Sequence, residues 1–181
     1  MTTGPPVQVL LGLGSNLGDR EAALLRVLHL IRETPEIELA SVSHLYETTP
    51  LDCPVGSGDY LNAAVVVTVC SWSARQLLNW CLRTELAAGR ERTQINAPRT
   101  LDIDLLLFGE QIVATSGLKV PHPRLHSRAF VLVPAADVAG DWCHPVEGRT
   151  VRELLYALDE TCGVSRVESL EWAHAISHSS R

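Results

Sequence analysis

Two acids interrupt an otherwise apolar stretch, Arg99-Thr100-Leu101-Asp102-Ile103-Asp104-Leu105-Leu106-Leu107-Phe108. On a strand, residues two apart share a face, so Asp102 and Asp104 point one way while Leu101, Ile103 and Leu105 point into the other layer. Two carboxylates on one face repel each other unless a cation lies between them. Hard oxygen ligands suit Mg²⁺, which takes one or two protein carboxylates and fills its remaining positions with water and phosphate oxygens. The competing reading is a surface strand whose acids pair with arginines.

Arg90, Arg92 and Arg99 flank that pair. Arginine forks match phosphate oxygens bidentately, so several of them beside a magnesium-type acid pair suggest a polyphosphate ligand. Taken alone they could equally be a solvated loop ion-paired to Glu85 and Glu91. The chain's one lysine, Lys119, lies in Leu118-Lys119-Val120 and so makes no P-loop. Gly12-x-Gly14-x-x-x-Gly18 is one residue too long for a dinucleotide fingerprint and reads as a tight turn with a close backbone approach to a ligand. His122, held between Pro121 and Pro123, sits on a rigid extended segment and cannot pair with His126 at helical spacing. A structural side chain is its default role, as it is for His174 and His178.

Residues 7–13 form an apolar run ending in a Gly/Ser/Asn turn, which predicts a buried strand. Asp19 then caps a helix that Pro35 stops. Residues 36–46 alternate and predict a second strand, residues 60–70 a central third, and 100–108 a fourth. Between the last two, residues 71–88 carry Leu77, Leu78, Cys81, Leu82 and Leu86 at helical spacing and end at Gly89, where a left-handed residue is expected. Strand, helix, strand, strand, helix, strand is the split βαβ arrangement. The expected fold class is therefore α+β: a ferredoxin-like βαββαβ core with an antiparallel sheet and helices on one face, extended by extra strands and helices. The additions include helices near 130–139 and 151–158. Residues 1–162 read as a single domain and 163–181 as a weakly structured C-terminal tail.

The chain has 181 residues, long enough to bury a core without staples. Lys+Arg 15 against Asp+Glu 21 gives a net charge of -6, which argues against charge-driven binding to nucleic acid or anionic membranes. Its longest apolar stretch, 63–69, is far short of the roughly 20 residues a spanning helix needs. The N-terminus carries no positive region ahead of an apolar run, and the five cysteines lack a C-x-x-C pair. A cytoplasmic location with free thiols is the expectation.

Four ordered blocks then converge. Leu11-Gly12-Leu13-Gly14-Ser15-Asn16-Leu17-Gly18, Tyr60-Leu61-Asn62-Ala63-Ala64, Pro98-Arg99-Thr100-Leu101-Asp102-Ile103-Asp104-Leu105 and Val120-Pro121-His122-Pro123 together resemble 6-hydroxymethyl-7,8-dihydropterin pyrophosphokinases. The resemblance runs from about residue 7 to about residue 138. It implies transfer of the β,γ-pyrophosphoryl group of ATP to the hydroxymethyl group of a reduced pterin, giving AMP and the pterin diphosphate for folate synthesis. It further implies two Mg²⁺ ions on Asp102 and Asp104, and ATP phosphates held by Arg90, Arg99, Arg92 and His122, with Glu85 near the nucleotide. Tyr60 and Phe130 would sandwich the pterin, Asn62 would bond its edge, and the backbone of Thr48, Thr49 and Leu51 would read its amide and amine groups. ATP and a reduced pterin are then the partners, and a monomer acting on small molecules is expected.

The sequence departs from the family pattern at Asn96-Ala97, where a Trp-Gly pair is common, at Pro123, and at Gly117 and Lys119. A non-catalytic pterin- or nucleotide-binding relative would be expected to have lost an acid or Arg99, and neither is lost. An RNA-binding module would want exposed sheet aromatics and a positive face, against 5% aromatic residues here. A two-metal hydrolase would show more acids and histidine ligands. The polar segments 47–59 and 89–98 have the composition of lids.

Overall fold

A computed structural model describes residues 5–49, 58–90, 99–158 and 163–177. At its centre lies β1 (Val7–Ser15), antiparallel to β4 (Tyr60–Val69) on one side and to β5 (Asp102–Phe108) on the other. Beyond β4 the expected second strand is present in two pieces, β2 (Ile37–Val42) and β3 (Leu45–Thr48), both antiparallel to β4. The break falls at Ser43, whose N–H donates to Ala64 O at 2.9 Å while its Oγ accepts from Ala64 N–H at 2.8 Å. A side chain thus stands in for one rung of the ladder, and the strand can turn without orphaning a buried amide.

Helix α1 (Arg20–Glu33) starts where Asp19 Oδ1 accepts the Ala22 N–H at 3.0 Å, and it ends at Thr34, ahead of Pro35. Helix α2 (Ala74–Ala87) opens with a reciprocal Ser73/Gln76 capping box and is followed by Gly89 at φ +80°, the left-handed residue expected there. Both helices cover one face, where Leu24, Leu28, Ile31, Leu77 and Cys81 pack on Val9, Leu11, Val65, Ile103 and Leu105.

The expectation of helices on one face alone is corrected by α3 (Ala129–Ala139) and α4 (Val151–Tyr156). They lie on the opposite face, where Leu132, Ala135 and Val151 join Leu10, Ala64, Val66 and Leu106 in a second core. Near-continuous apolar runs such as 63–67 are what strands buried on both sides require. A small hairpin, β6 (Val113–Thr115) with β7 (Leu118–Val120), and a 3-10 turn (Leu125–Ser127) connect β5 to α3.

The C-terminal segment also departs from expectation. Residues 164–167 form β8 (Val164–Val167), an edge strand on β3, and α5 (Leu170–Ser177) follows. One large side chain anchors that helix: Trp172 is 3% exposed and donates its Nε1–H to Ser43 O at 2.9 Å. Arg32 on α1 donates to Ala175 O at 2.6 Å as a second tie. So short a segment shows little periodicity, and its order comes from tertiary contacts.

Candidate active site

The strand register brings the singled-out residues into line. Gly14 on β1 faces Asn62 on β4 and Asp102 on β5, and Asn62 in turn faces Tyr46 on β3. One row along, Gly12 faces Ala64 and Asp104. Adjacent strands lie about 4.8 Å apart, so the Asn62 and Asp102 backbones stand roughly 10 Å apart across a floor with no side chain. A Cβ on Gly14 would come within 3.2 Å of Asn62 Oδ1 and 3.9 Å of the Asp102 Cβ. Asp102 and Asp104 alternate with Ile103 and Leu105 and so share the face of β5 on which Leu106 joins the α3 core.

Asp102 carries the ion pairs. Arg99 Nη1 donates to its Oδ2 and Arg90 Nη1 to its Oδ1. Arg90 also pairs with Glu85, which is 2% exposed and whose Oε1 accepts the Ile103 N–H at 2.8 Å. Glu85 therefore ties α2 to the acid strand and holds Arg90 toward Asp102. Asp104 is different: burial first, and then the charges of Asp102 and Glu85, outweigh Arg128 and Arg99 and push its carboxyl up to about 7. A second acid beside a neutralised first one, short of positive charge, is a donor set that fits a divalent cation.

His122 is pinned by its backbone, its N–H donating to Leu106 O at 2.9 Å. Its Nδ1 accepts the Arg124 N–H at 3.2 Å, which assigns the proton of the neutral ring to Nε2. Burial, then Arg128 and Arg124, hold its pKa down to about 4, so at neutral pH it is an uncharged donor.

Arg128 is the residue that sequence reasoning missed. It precedes α3, feels Asp104, Asp102, Arg99 and Arg124, and lies with its guanidinium 5.3 Å from the centre of the Phe130 ring. The signal was available in Arg124-Leu125-His126-Ser127-Arg128, two cations just past His122.

On the other side of the glycine floor, Asn62 is 5% exposed and donates Nδ2–H to Thr48 Oγ1 at 2.7 Å. Tyr60 is half-buried at the start of β4, close enough to Arg99 to act on its charge. Thr49 is exposed and donates its N–H to Gly163 O at 3.2 Å. Arg20 fastens the same edge, bonding Asp59 O and Glu47 Oε1, each at 2.8 Å. The structure thus gathers Glu85, Arg90, Arg99, Asp102 and Asp104 in one group and Thr48 with Asn62 in another. Arg92, Leu51, Asn96 and Ala97, and with them most of both expected lids, lie outside the described residues.

Among the described residues no helix is long and apolar enough to cross a membrane, and no group of three or more His, Cys, Asp or Glu side chains is placed to hold a metal.

The family model of 7,8-dihydro-6-hydroxymethylpterin-pyrophosphokinase matches residues 10–140. The 2-amino-4-hydroxy-6-hydroxymethyldihydropteridine pyrophosphokinase of Methylorubrum extorquens is 40% identical over 161 residues, 87% of this chain and 97% of the relative. The enzyme of the same name from Pseudomonas aeruginosa is 38% identical, over 92% of this chain and 98% of its own length. Among solved structures, a Plasmodium falciparum HPPK-DHPS triple mutant with pteroate superposes with a TM-score of 0.70 at 15% identity, over 91% of this chain. The chain spans 47% of that longer protein, and the likeness is one of fold. With a matched span that holds the glycine floor, the acid pair and His122, the chain belongs to the 7,8-dihydro-6-hydroxymethylpterin-pyrophosphokinase family.

Proposed function

We propose that the two groups on either side of the Gly12/Gly14 floor are the two halves of one transfer site, phosphates over β5 and the pterin over β4 and β3. The chain is a pyrophosphokinase of folate synthesis, moving pyrophosphate from ATP to the hydroxymethyl group of 6-hydroxymethyl-7,8-dihydropterin. The bond formed joins the pterin hydroxymethyl oxygen to the β-phosphorus. The bond broken joins that phosphorus to the oxygen bridging to the α-phosphate, so AMP leaves and the hydroxyl proton is released. The observation that carries the division into halves is the cross-strand row Asn62, Gly14, Asp102.

In this reading Arg90 and Arg99 exchange their contacts with Asp102 for phosphate oxygens, and Arg92 and Arg128 add to them. Glu85 serves the nucleotide side by holding Arg90. His122, neutral with its proton on Nε2, donates to the triphosphate without adding a charge that burial would oppose. Asp102 and Asp104 would hold Mg²⁺, two ions in all, which when bound supply charge neutralisation of the triphosphate and alignment of the attacking hydroxyl. Tyr60 and Phe130 stack on the pterin, and Asn62 bonds its edge while Thr48 fixes the amide. The backbones of Thr49 and Leu51 read its remaining polar groups.

A ferredoxin-like core, with β2 and β3 together standing for its second strand, is the finer fold reading that the order β5-β1-β4 with β2 and β3 both paired to β4 supports. The working unit is a cytoplasmic monomer. Separate titrations of Asn62→Ala with pterin and with ATP test the placement: a weakened pterin complex with near-normal ATP binding is expected, and equal effects on both would overturn it.

A further inference from the structure

Asn16 belongs to the glycine-rich block and directly follows β1. It is 7% exposed, and three of its polar groups reach two other segments. Its N–H donates to Arg99 O at 3.1 Å, and its Oδ1 accepts the Arg99 N–H at 2.8 Å. Its Nδ2–H donates to Gly58 O at 3.4 Å. Next to it, Ser15 Oγ donates to Thr100 O at 2.7 Å. One residue thus satisfies both backbone groups of Arg99, as a paired strand would, and its side-chain NH2 donates to the segment that leads into Tyr60 and Asn62.

Arg99 leads into β5 and Gly58 leads into β4, and these strands are not neighbours, because β1 lies between them. Asn16 follows directly on the end of β1, where it can hold both lead-in segments at once. Breaking a buried bridge of this kind leaves polar groups unpaired and lets the starts of β4 and β5 move independently. We propose that Asn16 is a positioning residue that sets the spacing between the phosphate half and the pterin half of the site. This rests on the reading of Arg99 and Tyr60 given above. In-line transfer needs reacting atoms at about 3–3.5 Å, and a misplacement of about 1 Å can cost on the order of 10²-fold in rate. The signature of Asn16 is therefore a fall in kcat rather than in the affinity for either ligand.

Asn16→Ala removes both side-chain bonds, whereas Asn16→Asp keeps an acceptor for the Arg99 N–H and loses the donor to Gly58 O. For each variant, kcat of pterin-dependent AMP formation, the separate Kd values for ATP and pterin, and the Tm would be measured. The expected result is a kcat lowered on the order of 10²-fold in Asn16→Ala and clearly lowered in Asn16→Asp, with both Kd values near wild type. Should the alanine variant fail to fold, the aspartate variant decides. Wild-type kcat in Asn16→Asp, or a loss of rate matched by weaker binding of one ligand, would overturn the proposal. Arg99→Ala and Tyr60→Ala serve as controls: if they weaken ATP and pterin binding respectively while the Asn16 variants keep wild-type kcat, only the bridge fails. If they do not, the site reading itself fails and takes the bridge with it.

Discussion

Replacing Asp104 by asparagine should make the protein more stable and inactive at once. The side chain keeps its size and loses a charge that the fold does not compensate. Its carboxyl, ordinarily near 3.8, is pushed up to about 7 by burial first and by Asp102 next. The unfolded chain releases this proton near 3.8 and the folded chain near 7, so between those values the folded state binds more protons. Stability therefore falls as pH rises through that window and is lowest above it. A shift of about 3 pH units corresponds to about 4 kcal/mol at most, and part of it is lost to relaxation and water around a half-buried group. A net gain of roughly 2–4 kcal/mol for Asp104→Asn at pH 8 would raise the Tm by about 5–15 °C. At pH 5 the advantage should shrink to about a third, because only about one unit then separates the solution from the unfolded value. Thermal unfolding without Mg²⁺ at both pH values, followed by addition of Mg²⁺ and ATP, makes the test. Ligands should stabilise the wild type more than the variant. An unchanged Tm at pH 8, or a gain independent of pH, would show that Asp104 bears no uncompensated charge and would remove the main support for a cation there.

Two further perturbations probe the frame. Gly14→Ala places a methyl within 3.2 Å of Asn62 Oδ1; overpacking of this kind costs about 1–3 kcal/mol. Pterin Kd should rise about 10-fold or more with ATP binding little changed, and an unaltered pterin Kd in calorimetry would contradict the floor. Trp172→Ala removes the buried anchor of α5, and large-to-small changes of an aromatic cost about 3–5 kcal/mol. A fall in Tm of about 10 °C is expected, and a change within about 1 °C would mean that the C-terminal helix does not brace the sheet.

Much of this site can be read from residue order, because its signals are local. Asp102 and Asp104 are conspicuous as acids in an apolar strand, and period-2 alternation is enough to put them on one face. Asp19 and Gly89 announce helix ends through their own chemistry. What stays hidden is non-local. That Gly14 falls between Asn62 and Asp102 depends on the register of three strands distant in sequence, and no spacing rule supplies it. Placing α3 on the opposite face required noticing that residues 63–67 are apolar at every position rather than alternately. Arg128 shows in the sequence only as one of two cations just past His122, and its tie to Asp104 comes from the chain's return to β5. Trp172 is the buried anchor of a segment too short to declare a helix, and the 43–46 region reads as one strand because the Ser43 hydroxyl, rather than a proline or glycine, makes the break.

Pyrophosphoryl transfer is tested most directly by combining the protein with ATP, Mg²⁺ and 6-hydroxymethyl-7,8-dihydropterin and following the nucleotide products by chromatography, with a pterin-free control. AMP and the pterin diphosphate should form in equal amounts, with no AMP when pterin is left out. ADP and phosphate as products, or pterin binding with no turnover, would contradict a site in which the Asp102 and Asn62 halves meet across the glycine floor to pass pyrophosphate from one ligand to the other.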